Sequence, residues 1–315
     1  MSSTPSSPES YRAPGRVNII GEHIDYLGGT VLPFACDREI HVTVEGPSER
    51  AEFRSAQGEV DGYVRCVVEA LAAHGLRAEG CRARITSDLP VGAGLSSSAA
   101  LAAAIALTLT RGREPIAPVV LQDAEICATG VRGGLMDQTT VLGGRAGHAL
   151  LLDCATGVVE LVAIPPDVGF VVIDTGTRRL LSDGRYAQRR AEVEAGDHRR
   201  VRHAESEQRR VYDAVDALRA GDVASLGALV SDSHASLRDH FEVSAPELDA
   251  AVEAAREHPS CHGARLVGAG FAGCVLAVVD AGSEKGLEDF LRERLPTATA
   301  FGVRAVDGAG GVYNR

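Results

Sequence analysis

The residues with the clearest chemical meaning form one short run, Leu89-Pro-Val-Gly-Ala-Gly-Leu-Ser-Ser-Ser-Ala-Ala100. Gly92 and Gly94 let a backbone turn tightly and approach a ligand closely. The three serines, Ser96, Ser97 and Ser98, then open an apolar run that reads as a helix through Arg111. The first N–H groups of a helix have no partner within it and carry partial positive charge, which suits phosphate. The same residues also read as a serine-capped helix after a glycine turn. Two carboxylates follow, Glu125 in Q-D-A-E and Asp137 in G-L-M-D-Q. Phosphoryl transfer needs a cation held by hydroxyl or carboxylate oxygens and a group to handle the acceptor's proton. Ser98 and Glu125 suit the first task and Asp137 the second. Each carboxylate alone also fits a surface position or a helix cap.

The rest of the composition removes other chemistries. Of 32 basic residues in 315, one is lysine, Lys285, and no G-x-x-x-x-G-K-[ST] loop precedes it. A lysine-clamped phosphate loop and a protein-kinase strand lysine are therefore excluded, and Lys285 reads as a solvated surface residue. The net charge of −11 speaks against general nucleic-acid binding and against a basic membrane-binding face. The N-terminus has neither a basic start nor an apolar run, and no stretch is long enough to span a bilayer. Seven cysteines, an odd number with no C-x-x-C pair, suggest neither a disulfide framework nor a zinc knuckle, so a reduced cytoplasm is expected. His258 and His262 are four apart, but Pro259 lies between them, and a solvated turn is expected there rather than a metal pair.

These side chains need a scaffold. Residues 1–10 read as a disordered tail, and residues 12–33 as an extended segment carrying functional side chains rather than core. Strands are expected at 38–45, 81–86, 147–153, 169–174 and 301–306, and helices at 61–74, 96–111, 121–129, 222–239 and 246–257. Residues 183–219 read as largely helical with solvated charged faces. Residues 264–280 read as a glycine-rich turn and a strand. The spacing lacks the regular alternation of a doubly wound sheet, so mixed α+β layers are expected. Pro165-Pro166 is the natural junction, dividing 11–165 from 166–315.

At this level of detail the motifs resemble a known family. P-V-G-A-G-L-S-S-S-A-A is similar to the ATP-binding motif of the GHMP kinases. A-P-G-R-V-N-I-I-G-E-H-I-D-Y-L-G-G-T-V-L-P at 13–33, G-L-M-D-Q at 134–138 and R-Y-A-Q-R-R-A-E at 185–192 resemble galactokinase segments in the same order. So do S-H-A-S-L-R-D at 233–239, V-S-A-P-E-L-D at 243–249 and G-A-R-L-V-G-A-G-F-A-G-C at 263–274. The resemblance implies a two-domain GHMP fold with its site in the interdomain cleft. The N-terminal ATP-binding domain would hold a left-handed β-α-β unit, and the C-terminal domain would be a ferredoxin-like sandwich. It implies a sugar 1-kinase using ATP and Mg²⁺ on galactose or a galactose-configured sugar. Arg16, Glu22, His23, Asp25, Gly134, Asp137 and Tyr186 fall on sugar-contact positions, with Glu22 and His23 at the 6-hydroxyl and Asp25 at the 3- and 4-hydroxyls. Asp137 and Arg16 would be catalytic, and Gly92, Gly94, Leu95, Ser96, Ser97 and Ser98 would hold the nucleotide. Ser98 and Glu125 would hold the metal.

The chain departs from the family at several positions. The insert before Tyr63 is short and there is no tryptophan; Ile24 stands for threonine, Cys66 for glycine and Gly133 for cysteine; Ala269 and Ala272 stand for glycines. Two other readings follow from the same residues. One is an anomeric kinase for a heptose, octose or uronic acid, although Glu22 would repel a carboxylate at C6. The other is a sugar- and ATP-binding regulator, against which the intact serines and Asp137 argue. The expected partners are a sugar and ATP, with a monomer or small homo-oligomer and no nucleic acid or membrane.

Overall fold

The computed structural model describes residues 10–178 and 184–312. The first sheet has the order β12-β1-β3-β5-β4, with β1 Ser10–Asn18, β3 Pro33–Pro47, β4 Ala51–Ser55, β5 Cys81–Ser87 and β12 Gly310–Val312. β4 and β5 are parallel neighbours joined through helix α1, Asp61–Ala73, a β-α-β unit. The segment expected to be extended and functional is both that and core: Ala13, Val17, Ile19, Ile20 and Val31 are all buried. Ser10, placed in the tail by sequence, already pairs with Thr43 and Val312, while the rest of the tail lies outside the described residues.

Helix α2, Ser97–Thr110, packs on β1 and β3 and under α1, α3 (Pro118–Thr129) and α4 (Met136–Gly143). It is buried on nearly every side. Alanines at 99, 100, 102, 103, 104 and 106 allow this, because a helix with short side chains all round fits between a sheet and three other helices. α3 starts on Pro118 and stops at Gly130, whose φ of +72° supplies the left-handed cap. A small sheet, β2 Thr30–Val31, β6 His148–Asp153 and β7 Val159–Ala163, lies beside it.

The second sheet runs β11-β8-β10-β9 and is antiparallel throughout. Its strands are β8 Val168–Asp174, β9 Cys261–Val267, β10 Cys274–Asp280 and β11 Thr299–Val303. Counted along the chain this order is 4-1-3-2, that of a ferredoxin-like sandwich. Among the described residues four helices separate β8 from β9: α5 Arg185–Glu194, α6 His198–Ala220, α7 Val223–Asp239 and α8 Pro246–Arg256. α9, Glu284–Arg294, separates β10 from β11. Strand alternation divides the core. Val168, Phe170 and Val172 of β8, with Cys274, Leu276 and Val278 of β10, join the core of the first sheet. Val171, Ile173, Val275, Ala277 and Val279 face a second core under α7, α8 and α9. The second sheet therefore packs on helices with one face and on the first half of the chain with the other.

Pro165 and Pro166 fall between β7 and β8, where the chain passes from one sheet to another. A single cut there does not anticipate β12, which returns to pair with β1. The cysteine reading needs a correction. Cys66 of α1 and Cys127 of α3 form a disulfide with Cα atoms 5.6 Å apart. Parity and C-x-x-C spacing say nothing about partners 61 residues apart that helix packing brings together. His258 and His262 bond separately, to Ser260 and Asp280. Among the described residues no helix is long and apolar enough to cross a membrane.

Candidate active site

The glycine loop ends in a strained residue. Gly92 and Gly94 have φ of +69° and +85°, and Ser96 has φ of +57°, a left-handed conformation uncommon for a residue with a side chain. Ser96 is the N-cap of α2, yet its hydroxyl caps nothing in the helix. It donates instead to Asp137 Oδ2 at 2.5 Å. The α2 terminus thus keeps N–H groups without a side-chain cap, and the serine serves a carboxylate 41 residues away. Leu95, expected at the nucleotide, is buried core, so only its backbone is available there; its carbonyl accepts from Arg16 N–H at 3.1 Å.

Arg16 joins the loop to the carboxylate. It lies in β1, almost fully buried, and its Nε donates to Asp137 Oδ1 at 2.8 Å. Its Nη1 donates to the carbonyl of Gly94 at 2.5 Å. Burial alone would lower the Arg16 pKa, but Asp137 and Glu22 beside it raise it, so the guanidinium stays charged. Asp137 is in the first turn of α4, where the helix dipole favours an anion. One of its oxygens is thus held by Arg16 and the other by Ser96, while about a quarter of the side chain stays exposed.

Ser98 and Glu125 meet as expected: the serine hydroxyl donates to Glu125 Oε1. Gln138 Nε2 donates to Glu125 Oε2 at 2.6 Å. Burial raises the Glu125 pKa and the Asp137 charge adds to it, against the hydrogen bonds from Ser98 and Gln138. Such a carboxylate is short of positive charge, and the serine–carboxylate pair offers the hard oxygen donors that Mg²⁺ takes.

The residues expected at the sugar form a second group around Asp25 and His23. Asp25 opens a one-turn helix, Asp25–Leu27. A Cβ on Gly134 would stand 2.2 Å from Asp25 Oδ2, so only glycine allows this approach. Burial pushes the Asp25 pKa up to about 7, with Asp137 and Glu22 adding and the Tyr26 N–H and Arg16 opposing. His23 has φ of +64° and lies among Phe241, Tyr186 and Tyr26, with ring centroids 4.6, 5.7 and 6.2 Å away. Its Nδ1 is 3.3 Å from the Tyr26 hydroxyl. Tyr186, at the start of α5, has its pKa raised first by burial and then by Asp25. Glu22 is buried and held from the second sheet, accepting from Gly268 N–H at 2.7 Å. Ile24, the departure from threonine, is buried core.

The two halves meet at glycines. A Cβ on Gly94 would stand 2.9 Å from the Val267 carbonyl, and one on Gly273 2.9 Å from that of Ala93. Close packing of the two loops therefore excludes side chains at both positions. Ala269 and Ala272 are the neighbours that accept a methyl group.

Arg16 and Ser96 contact Asp137 directly, and Asp25, Glu125 and Tyr186 lie near enough to feel its charge. His23 joins through Tyr186 and Ser98 through Glu125, whereas Glu22 is held from the second sheet. Sequence reasoning gave no role to Gln138, although it lies in the quoted G-L-M-D-Q. It also passed over Tyr63, whose raised pKa comes from burial and then Glu125. Arg265, on Glu22, was missed as well; a charged residue inside the apolar strand 263–267 was the available signal.

Comparison with known proteins agrees with this geometry. Residues 3–45 match the galactokinase galactose-binding signature, residues 62–145 the GHMP kinase N-terminal domain and residues 214–297 the GHMP kinase C-terminal domain. A galactokinase of Roseiflexus sp. is 37% identical over 96% of this chain and 93% of its own length. One of Thermotoga maritima is 35% identical over 90% and 92%. The crystal structure of Lactococcus lactis galactokinase complexed with galactose superposes with a TM-score of 0.85 at 27% identity, covering 96% of this chain and 95% of that one. Mevalonate kinase of Methanococcus jannaschii, at 18% identity and a TM-score of 0.76, shares the fold. The glycine loop set against Asp137, the 4-1-3-2 sheet behind it and these relatives together place the chain in the galactokinase family of GHMP kinases.

Proposed function

We propose that the chain transfers the γ-phosphoryl group of ATP to the anomeric hydroxyl of galactose, giving galactose 1-phosphate and ADP. The observation that carries this reading is the position of Asp137, fixed by Arg16 from β1 and by Ser96 from the phosphate loop. An acceptor hydroxyl bound at Asp137 lies next to the loop that would hold the triphosphate. Asp137 accepts or orients the proton of the 1-hydroxyl. Arg16 holds Asp137 by its Oδ1 and offsets negative charge as it builds on the transferred group. The N–H groups of residues 92–98 and the start of α2 hold the phosphates, a task that elsewhere falls to a lysine. Ser98 and Glu125 would hold Mg²⁺, which would neutralise phosphate charge. Asp25 and Tyr186 read the sugar hydroxyls on the far side, and Glu22 with His23 reads the 6-position. A site that pairs each hydroxyl discriminates against epimers, because a misplaced hydroxyl leaves a buried partner without one.

The test is Asp137→Asn. It keeps the shape of the side chain and removes the charge. We expect kcat to fall ~10²–10⁴-fold while galactose binding, followed by calorimetry, is largely retained. Near-full turnover by this variant would sink the assignment.

A further inference from the structure

Arg265 is the largest fully buried side chain among the described residues. Its backbone pairs with Leu276 in the second sheet, yet the bonds its side chain makes reach the first half of the chain. Nε donates to the carbonyl of Ile19 at 2.7 Å, and Nη2 donates to the carbonyl of Asn18. The same Nη2 is 3.3 Å from Glu22 Oε1. A buried guanidinium is costly to desolvate and persists where acceptors surround it. Here the acceptors are two carbonyls and one carboxylate of a short irregular stretch.

That stretch, residues 18–22, links β1 to the sugar side of the site and is gripped from the other half at nearly every residue. Gly21 N–H donates to Glu207 Oε1 at 2.9 Å, and His203 Nε2 is 3.1 Å from the Glu22 carbonyl. Ser233 and Arg210 hold Glu207 in turn. Glu22 Oε1 takes both Arg265 and Gly268 N–H, so that oxygen is held by residues three positions apart on β9 and the turn after it.

We propose that Arg265 is a positioning residue for sugar recognition. By fixing the Glu22 carboxylate from the second sheet, it sets how the site reads the 6-position of the sugar. The proposal rests on the reading above that Glu22 contacts the 6-hydroxyl. A role confined to holding the two halves together would weaken every substrate alike. A positioning role weakens only the discrimination made at C6.

The experiment uses Arg265→Lys, which keeps the charge and loses the planar fork, and Arg265→Gln as a second variant able to reach the same carbonyls. The readouts are kcat/KM for galactose and for 6-deoxygalactose, KM for ATP, and Tm. The wild-type protein is expected to prefer galactose by ~10-fold or more, the value of one buried charged contact. In the variants the preference is expected to shrink to ~1–3-fold through loss on galactose, with KM for ATP and kcat/KM for 6-deoxygalactose within about twofold of wild type. An equal fall on both sugars, an unchanged preference, or failure of both variants to fold would make Arg265 purely structural and overturn the proposal. A wild-type protein that phosphorylates both sugars equally would overturn the C6 role of Glu22, and the proposal with it, while leaving the kinase reading intact. A wild-type protein that phosphorylates neither would overturn the proposed function itself.

Discussion

Gly134→Ala adds one methyl group where the structure leaves no room for it. The new Cβ would lie 2.2 Å from Asp25 Oδ2, 2.7 Å from its Cγ and 3.0 Å from its Cβ. The outer oxygen could swing aside, but the 3.0 Å contact is to an atom fixed to the backbone, so rotation alone does not relieve the clash. Reaching ordinary contact requires the carboxylate to shift by roughly 1 Å, a misplacement that can cost ~10²-fold in rate. Hydrogen bonds to a charged acceptor contribute ~1.5–3 kcal/mol each, about 10- to 150-fold per bond. We therefore expect kcat/KM for galactose to fall ~10²-fold. Overpacking should cost stability ~1–3 kcal/mol, leaving the protein folded. Steady-state kinetics in both substrates, a galactose titration and a thermal melt give the answer. The expected pattern is weak galactose binding, a nearly unchanged KM for ATP and a modest fall in Tm. A folded variant that binds galactose within twofold of wild type would refute the placement of the sugar at Asp25.

Two further outcomes follow from charge and from covalent linkage. Asp25 holds its proton up to about pH 7 in the folded chain and releases it near pH 4 when unfolded. Folding therefore loses stability from this group as pH rises from ~4 to ~7; Asp25→Asn should be stabilising at pH 8 relative to pH 4 by ~1–3 kcal/mol, and melts showing no such pH difference would contradict the shift. The Cys66–Cys127 bond closes a loop of 61 residues, which the chain-entropy account values at ~4 kcal/mol. Reductant reaches it through exposed Cys127, so reduction should lower Tm; non-reduced protein unfolded in denaturant that alkylates at all seven cysteines instead of five would show the bond absent.

What could be read from sequence was local. The alanine run of α2 and the apolar β8 announce themselves within a dozen residues, and both were placed to within about two residues of their observed ends. α4 was not foreseen, because two glycines before Leu135 hide the start of the helix that presents Asp137. β4 and β7 were missed because they are short and largely exposed, with little alternation to see. α9 buries only Leu287 and Leu291, too thin a stripe to stand out in a charged run. The site residues were legible because they sit in contiguous motifs. The use each is put to was not: Ser96 reads as a helix cap and serves Asp137, a choice set by a left-handed backbone and a tertiary contact. The disulfide and the Arg265–Glu22 pair join residues 61 and 243 apart, and no local pattern reports such distances.

The pairing of Ser10 with Val312 bears on the order in which the molecule is built. A ribosome adding ~5–20 residues per second makes β1 first and β12 about 15–60 s later. Throughout that interval β1 can pair with β3 on one side and, at Arg16, with the Leu95 carbonyl, but the other edge of Ser10–Arg12 keeps its backbone donors and acceptors open until β12 arrives. Such an edge invites pairing with other nascent chains. The start of β1 is thus among the first described parts to be synthesised and among the last to be sealed, so ribosome-bound chains stopped short of residue 310 should be the most aggregation-prone form of this protein.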